Sequence, residues 1–396
     1  MRNSGKARLT RRELLASSLT AGGALLVGFH DLRTPAFASS FVDQPFQGGR
    51  YLGLVEFAGE GLIPTDIPMG DGLDGRLFTD LSGVGPGTPT IANEEFYVRT
   101  RASDLLPEGE PWLIKVSGLV KQPSQITMAE LHKMSKPAGL HLMECSGNVR
   151  SGHFGMLSVA GWTGAPVSDV LDLIKVEKSA SHVLISGFDR YPFSSPTSTP
   201  GASWIFTLDE IKSSQAFFAT HMNGVPLSRD HGAPVRLVVP GWYGCACIKW
   251  VDEIQLLGEG SATTSQMREF ASRTMQQGVP ALVKDYRPAV IEQAAMPVRV
   301  EKWIVEGKLK YRVHGIAWGG SRPVSGLEIR FDSTEGFVPV DDFHPSANDS
   351  WSFWTQPWAP AKPGIYFIQL KLKDAAVPSH RMESGHYVRS VEIAEV

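Results

Sequence analysis

At 396 residues the chain is long enough for two or three domains of roughly 150 residues each, and beyond its first 40 positions no uninterrupted apolar stretch approaches the ~20 residues a bilayer requires. Lys and Arg total 38 against 41 Asp and Glu, and residues 1–38 hold six basic and two acidic side chains, so the remainder carries a formal −7 that argues against general nucleic-acid affinity. Three cysteines leave a thiol free and exclude a disulfide scaffold, while 40 Gly and 27 Pro spread along the chain favour short strands and turns over long helices.

Residues 1–38 read as an address, with a basic start, an apolar and small-residue run over 14–29, and Ala36-Phe37-Ala38 as a cleavage site. Within it, Thr10-Arg11-Arg12-Glu13-Leu14-Leu15 resembles a twin-arginine export signal; an ordinary secretory signal or an uncleaved anchor are the alternatives. That route carries chains already folded, so the resemblance implies a periplasmic or otherwise exported protein with a bound prosthetic group. Residues 39–93, rich in Gly, Pro and Asp, read as an extended N-terminal arm. Over 94–260, short apolar runs (96–99, 112–116, 140–144, 182–185, 235–239, 249–256) mix with helical stretches at 127–134, 167–174 and 207–213, the pattern of an α+β domain. Past a polar, irregular 261–278, the segment 279–396 carries β-rich runs at 298–305, 309–317, 324–331, 351–358, 364–372 and 387–393, spaced as in a β-sandwich, and five of the ten tryptophans lie beyond residue 300.

Two stretches hold the chemistry. In Glu144-Cys145-Ser146-Gly147-Asn148-Val149-Arg150 a strand ends at a cysteine, followed by turn-forming residues and a cation. A thiolate beside free turn N–H groups and an arginine binds a soft metal or acts as a nucleophile; the alternative is a cysteine packed as a small hydrophobe. In the second stretch Arg229, His231, Arg236 and Lys249 place four cations within 21 residues, which points to a bound anion such as a phosphate, against the alternative of a solvated basic face. Cys245 and Cys247 lack the spacing and the fourth ligand of a zinc site.

The strings E-C-S-G-N-x-R and R-D-H-G-x-P-V-R-x-V-V-P-G-x-x-G-x-x-x-x-K-W, in this order, resemble those of the sulfite oxidase family of molybdenum-cofactor oxidoreductases. The resemblance implies a molybdenum-cofactor-binding catalytic domain over 94–260, followed by an immunoglobulin-like dimerisation domain over 279–396 and hence a homodimer. It makes Cys145 the thiolate that ligates molybdenum beside the dithiolene of a molybdopterin. Arg150 and Arg99 match arginines near the metal that receive the substrate anion. Asp189, His231, Arg236, Cys247, Ile248 and Lys249 fall where the family holds the pterin and its phosphate. No haem-attachment motif is present, so electrons leave to a separate acceptor, a c-type cytochrome if the family pattern holds.

Three departures bear on the substrate. The loop 258–278 has no Tyr where sulfite-oxidising members place one near the oxo group, and Phe270 stands closest. The chain after Cys145 reaches Trp162 directly, without the tryptophan of that loop, and Trp354 stands where those members bring an arginine from the second domain. Arg101, Arg268 and Arg273 are the cations available as replacements. A sulfur oxoanion such as sulfite is the first expectation; a sulfane sulfur, a sulfoxide or a metal-free anion-binding role are the alternatives.

Overall fold

The computed structural model describes residues 46, 48–61, 67–68, 75–102, 106–109, 111–188, 202–347 and 349–396; the export-signal reading and Asp189 lie outside the described residues. In chain order the strands are β1 (Arg50–Val55), β2 (Ile67–Pro68), β3 (Gly75–Arg76), β4 (Leu113–Gly118) and β5 (Ser124–Thr127). Helix α1 (Met128–Met134), β6 (Lys136–Glu144), β7 (Leu157–Pro166), α2 (Val167–Ile174), β8 (His182–Gly187) and β9 (Ser203–Thr207) follow. Next come α3 (Leu208–Ser214), β10 (Phe217–Met222), β11 (Val225–Pro226), β12 (Arg236–Val238), β13 (Val251–Leu257) and α4 (Ser265–Glu269). The last part holds β14 (Ala294–Val305), β15 (Lys308–Trp318), β16 (Leu327–Arg330), β17 (Val338–Pro339), β18 (Asp342–His344), β19 (Ser352–Trp358), β20 (Gly364–Leu372), α5 (His380–Glu383) and β21 (Arg389–Ile393). No described helix is long and apolar enough to cross a membrane.

Local chemistry sets the helix starts. Thr127 accepts from the Glu130 N–H at 3.2 Å while the Glu130 carboxylate accepts from the Thr127 N–H at 2.8 Å, and Thr207 and Glu210 repeat this capping box at α3. These helices, with α2, fall on the stretches read as helical. Residues 96–99, read as a strand-like run, form none: Val98 makes one isolated bridge to Leu77, because Phe96 and Tyr97 turn inward as core plugs. The strand β7 is hidden in sequence by its glycines and alanines. A side chain at Gly164 would meet the Phe218 carbonyl at 2.3 Å, so the close pairing of β7 with β10 demands glycine there.

Four larger sheets result. The order β5-β4-β13-β8-β9, antiparallel except for β4 beside β13, and the order β11-β10-β7-β6, with β12 also on β10, enclose the larger core around Val159, Val183, Phe218 and Ile254. The orders β1-β14-β15-β19-β18 and β17-β16-β20-β21 contribute to a second core around Val300, Val313, Ile329 and Trp354. Strand β1 shows that residues 50–55, expected as part of a wrapping arm, are an integral sheet strand paired with β14. The larger core also takes Trp318, Trp351 and Tyr387 from the later segment, and residues 41–396 form one compact unit.

Candidate active site

Strand β6 delivers Glu144 and then Cys145 to a tight turn. The Cys145 N–H donates to the Met156 carbonyl at 2.9 Å, the Asn148 N–H returns to the Cys145 carbonyl at 2.9 Å, and the buried Asn148 amide oxygen accepts from the Met156 N–H at 3.1 Å. The turn aims one backbone donor at sulfur, with the Gly147 N–H 3.4 Å from Cys145 Sγ. Asn148 is thus the residue that shapes the thiol's seat.

Cys145 opens into a cleft that is partly open to solvent. Of the residues predicted from sequence, Arg99, Cys145, His231, Arg236, Cys247, Ile248 and Lys249 all line it. Arg150 does not. Its exposed side chain turns away and donates to the Val388 carbonyl. Trp354 is no site residue either: it fills the second core and donates to the Ile316 carbonyl at 3.2 Å. Arg101 packs so closely on Gly75 that a Cβ there would overlap it.

Arg236 is the central cation. Fully enclosed on β12, it donates to the carbonyls of His231 (3.3 Å) and Cys247 (3.4 Å), lies near Met143 Sδ (3.2 Å) and stacks over Trp162, which places that tryptophan beneath the guanidinium. Burial draws its pKa below the ordinary guanidinium value. Among the described residues its Nε is buried without a partner, so the cleft presents a donor that a bound anion would satisfy. His231 packs edge-on against Phe96, with centroids 5.5 Å apart, and its Nε2–H donates to the Asn93 carbonyl at 2.8 Å. Burial, with Arg236 and Lys249 nearby, pushes its pKa down to about 4, so the imidazole is neutral near pH 7 and the cationic work falls to the arginine. Lys249 donates to the carbonyls of Thr100 and Asp230, and lies over the Trp250 ring at 4.4 Å. Gly232 has φ +102°, and a Cβ there would press within about 3 Å of the Arg236 and Lys249 side chains, so glycine lets the two cations converge.

The sequence reading missed four contributors. Tyr97 and Gln266 line the cleft; burial raises the Tyr97 phenol well above its ordinary value and keeps it protonated. Its hydroxyl lies 2.7 Å from where a Gly244 side chain would start, so Gly244 keeps that space clear. Glu144, fully buried, accepts from Trp318 Nε1 (2.9 Å) and Tyr387 OH (2.8 Å) and pairs with Arg381 at 3.7 Å. Arg381 also donates to the Ser146 carbonyl at 2.7 Å, so it holds the chain on both sides of Cys145. Tyr97, beside the predicted Arg99, and Glu144, beside the predicted Cys145, had a signal in the local sequence, whereas Gln266 and Arg381 had none. Among the described residues no group of three or more His, Cys, Asp or Glu side chains is placed to hold a metal ion.

Residues 103–265 match the oxidoreductase molybdopterin binding domain family. That segment is thus a molybdopterin-binding oxidoreductase domain, similar to that of the sulfite oxidase family. Its cofactor is the molybdenum cofactor. Mitochondrial sulfite oxidase of Rattus norvegicus is 29% identical over 256 residues, covering 59% of this chain and 46% of that protein. The NADPH nitrate reductase of Fusarium oxysporum is 25% identical over 349 residues, covering 79% of this chain and 36% of the reductase. The chain therefore spans about half or less of the length of these relatives. The fold is similar to that of the sulfane dehydrogenase SoxCD from Paracoccus pantotrophus, with a TM-score of 0.61, 17% identity, and 95% of this chain and 91% of that chain covered.

Proposed function

We propose that this protein is an exported molybdenum oxidoreductase acting on a small sulfur oxoanion such as sulfite. In that reaction sulfite gains an oxygen atom from water and becomes sulfate, while two protons are released and two electrons pass to a separate acceptor. The observation that carries this reading is the meeting of Cys145, His231, Arg236 and Lys249, drawn from separate parts of the chain, on one cleft. The unpartnered Arg236 Nε and the clearance left by Gly232 and Gly244 fit an anionic cofactor tail.

When bound, the cofactor supplies the two-electron redox chemistry. Cys145 would hold it through sulfur, a soft ligand suited to a redox metal, with the Gly147 N–H supporting the thiolate charge. Arg236, with His231 and Lys249 beside it, would hold the pterin and phosphate end. Arg99, on the cleft wall, offers positive charge to the substrate anion, the kind of electrostatic stabilisation that contributes several kcal/mol in many enzymes. Phe270, also on the wall, covers this face with an apolar ring where a tyrosine was expected, and so supplies no proton.

Cys145→Ser removes the soft ligand but keeps the shape, so the variant is expected to fold, with circular dichroism like that of the parent, and to lose sulfite oxidation with ferricyanide as acceptor. Full turnover in Cys145→Ser would sink the ligand assignment. A second reading, oxidation of a sulfane sulfur, is favoured by Phe270 in the tyrosine's place and by Arg150 and Trp354 facing away from the cleft; thiosulfate in the same assay separates the two. Export through the twin-arginine leader, an immunoglobulin-like character for residues 279–396 and dimerisation through that sandwich complete the proposal.

A further inference from the structure

The cation expected to meet the substrate, Arg150, is turned to the Val388 carbonyl, which leaves the mouth of the cleft beside Cys145 to another residue. Arg273 lies beside that cleft, next to one of its lining residues. It belongs to the 3-10 turn Ser272–Thr274 that follows α4, and its guanidinium lies over the Phe270 ring at 5.3 Å, on a residue that lines the cleft. Its relation to the thiol is given by Gly147: a Cβ built on that glycine would sit 3.5 Å from Arg273 Nη1 and 3.7 Å from Cys145 Sγ, with no other heavy atom of the described residues within 4 Å outside its chain neighbours. The absent side chain leaves an opening with sulfur on one wall and a guanidinium on the other.

The turn that presents Arg273 is firmly seated. Its carbonyl accepts from Arg381 at 3.2 Å, and the neighbouring Thr274 hydroxyl bonds to the Phe270 carbonyl and to Tyr286 OH, each at 2.9 Å. No carboxylate among the described residues pairs with the Arg273 side chain, which is exposed. A planar guanidinium is suited to two oxygens of a tetrahedral or pyramidal oxoanion at once.

We infer that Arg273 is the specificity-determining cation that receives a sulfur oxoanion at the opening above Gly147, and that Arg150 instead ties its loop to the C-terminal segment. This rests on the oxoanion reading of the substrate, so the test is built on binding as well as turnover. Equilibrium dialysis of labelled inorganic sulfate against the molybdenum-loaded protein is expected to show Arg273→Gln weakening binding by about tenfold, the loss of one charge-assisted contact, with a like rise in sulfite KM, little change in kcat and equal molybdenum per chain. Arg273→Lys should recover part of the affinity, and Arg150→Gln should matter less than Arg273→Gln. Gly147→Ala, whose new methyl meets only ordinary contact distances and so folds, should weaken sulfate by filling the opening. Unchanged sulfate affinity in Arg273→Gln, or no sulfate binding by the parent protein, overturns the inference. Sulfate binding that depends on Arg273 in a protein that does not oxidise sulfite leaves the site standing and removes the sulfite reading alone.

Discussion

His231 shows how position alone sets a residue's role. Its pKa lies near 4 in the folded chain against 6.5 when free, so between those values the unfolded chain binds a proton that the native one does not. Stability from this group is therefore complete above about pH 6.5 and lost as pH falls toward 4, by up to about 3 kcal/mol. Urea unfolding of cofactor-free protein at pH 7 and pH 4.5 checks it: the loss on acidification should be about 2 kcal/mol smaller in His231→Asn than in the parent. Equal losses in the two proteins would mean that the imidazole is solvated. Arg236 has the complementary task, since a guanidinium cannot shed its charge on burial and a bound anion is the means to satisfy its free Nε.

The element that matters most is the end of β6. Glu144, one residue before the cysteine, is anchored by three side chains from the C-terminal part of the chain: Trp318 from β15, Arg381 from α5 and Tyr387. At 3.7 Å the Arg381 contact is a charge pairing and not a hydrogen bond, and although burial opposes the arginine's charge, Glu144 raises its pKa above the ordinary value. Glu144→Gln keeps one acceptor oxygen, for Trp318, turns an amide NH2 towards the Tyr387 hydroxyl, which must then accept, and leaves Arg381 buried without its counter-charge, at a cost of about 3 kcal/mol. The double variant Glu144→Gln with Arg381→Met should recover much of that cost, giving a coupling above about 1 kcal/mol in chemical unfolding. Strictly additive losses would show that the pair is not coupled. A similar buried group lies on β14, where burial would raise the Glu301 carboxyl but His314 and Arg299 outweigh it and hold it down to about 2. Arg299 then donates to the carbonyls of Ser82 and Val84 and fastens the residues before β4 to β14.

At the scale of the molecule, the two cores are not independent bodies. Trp318, Trp351 and Tyr387 come from the later segment and pack into the larger core, and Arg389 reaches back to Glu60 and over the Phe57 ring at 3.5 Å. Loss of one buried aromatic ring typically costs about 3–5 kcal/mol, which is comparable to a domain's whole margin of stability. A chain ending at residue 278 is therefore expected not to fold, with neither cooperative urea unfolding nor bound molybdenum. Cooperative unfolding of that fragment would show that the larger core closes without these residues.

What the sequence determined by itself is whatever acts within a few residues of chain: the helical stretches at 127–134, 167–174 and 207–213, the strand that ends in a turn at Cys145, and the order of motifs that marks the family. Those features were legible because donor, acceptor and backbone geometry sit in one short string. Only the tertiary structure decided which cations face the thiol. Arg150 is five residues from Cys145 and turns away, whereas Arg273 and Arg381 are more than a hundred residues distant and arrive beside it. The direction of a long, charged side chain depends on the carbonyls and carboxylates that packing brings within reach, and for these arginines the partners or neighbours lie on distant strands and turns.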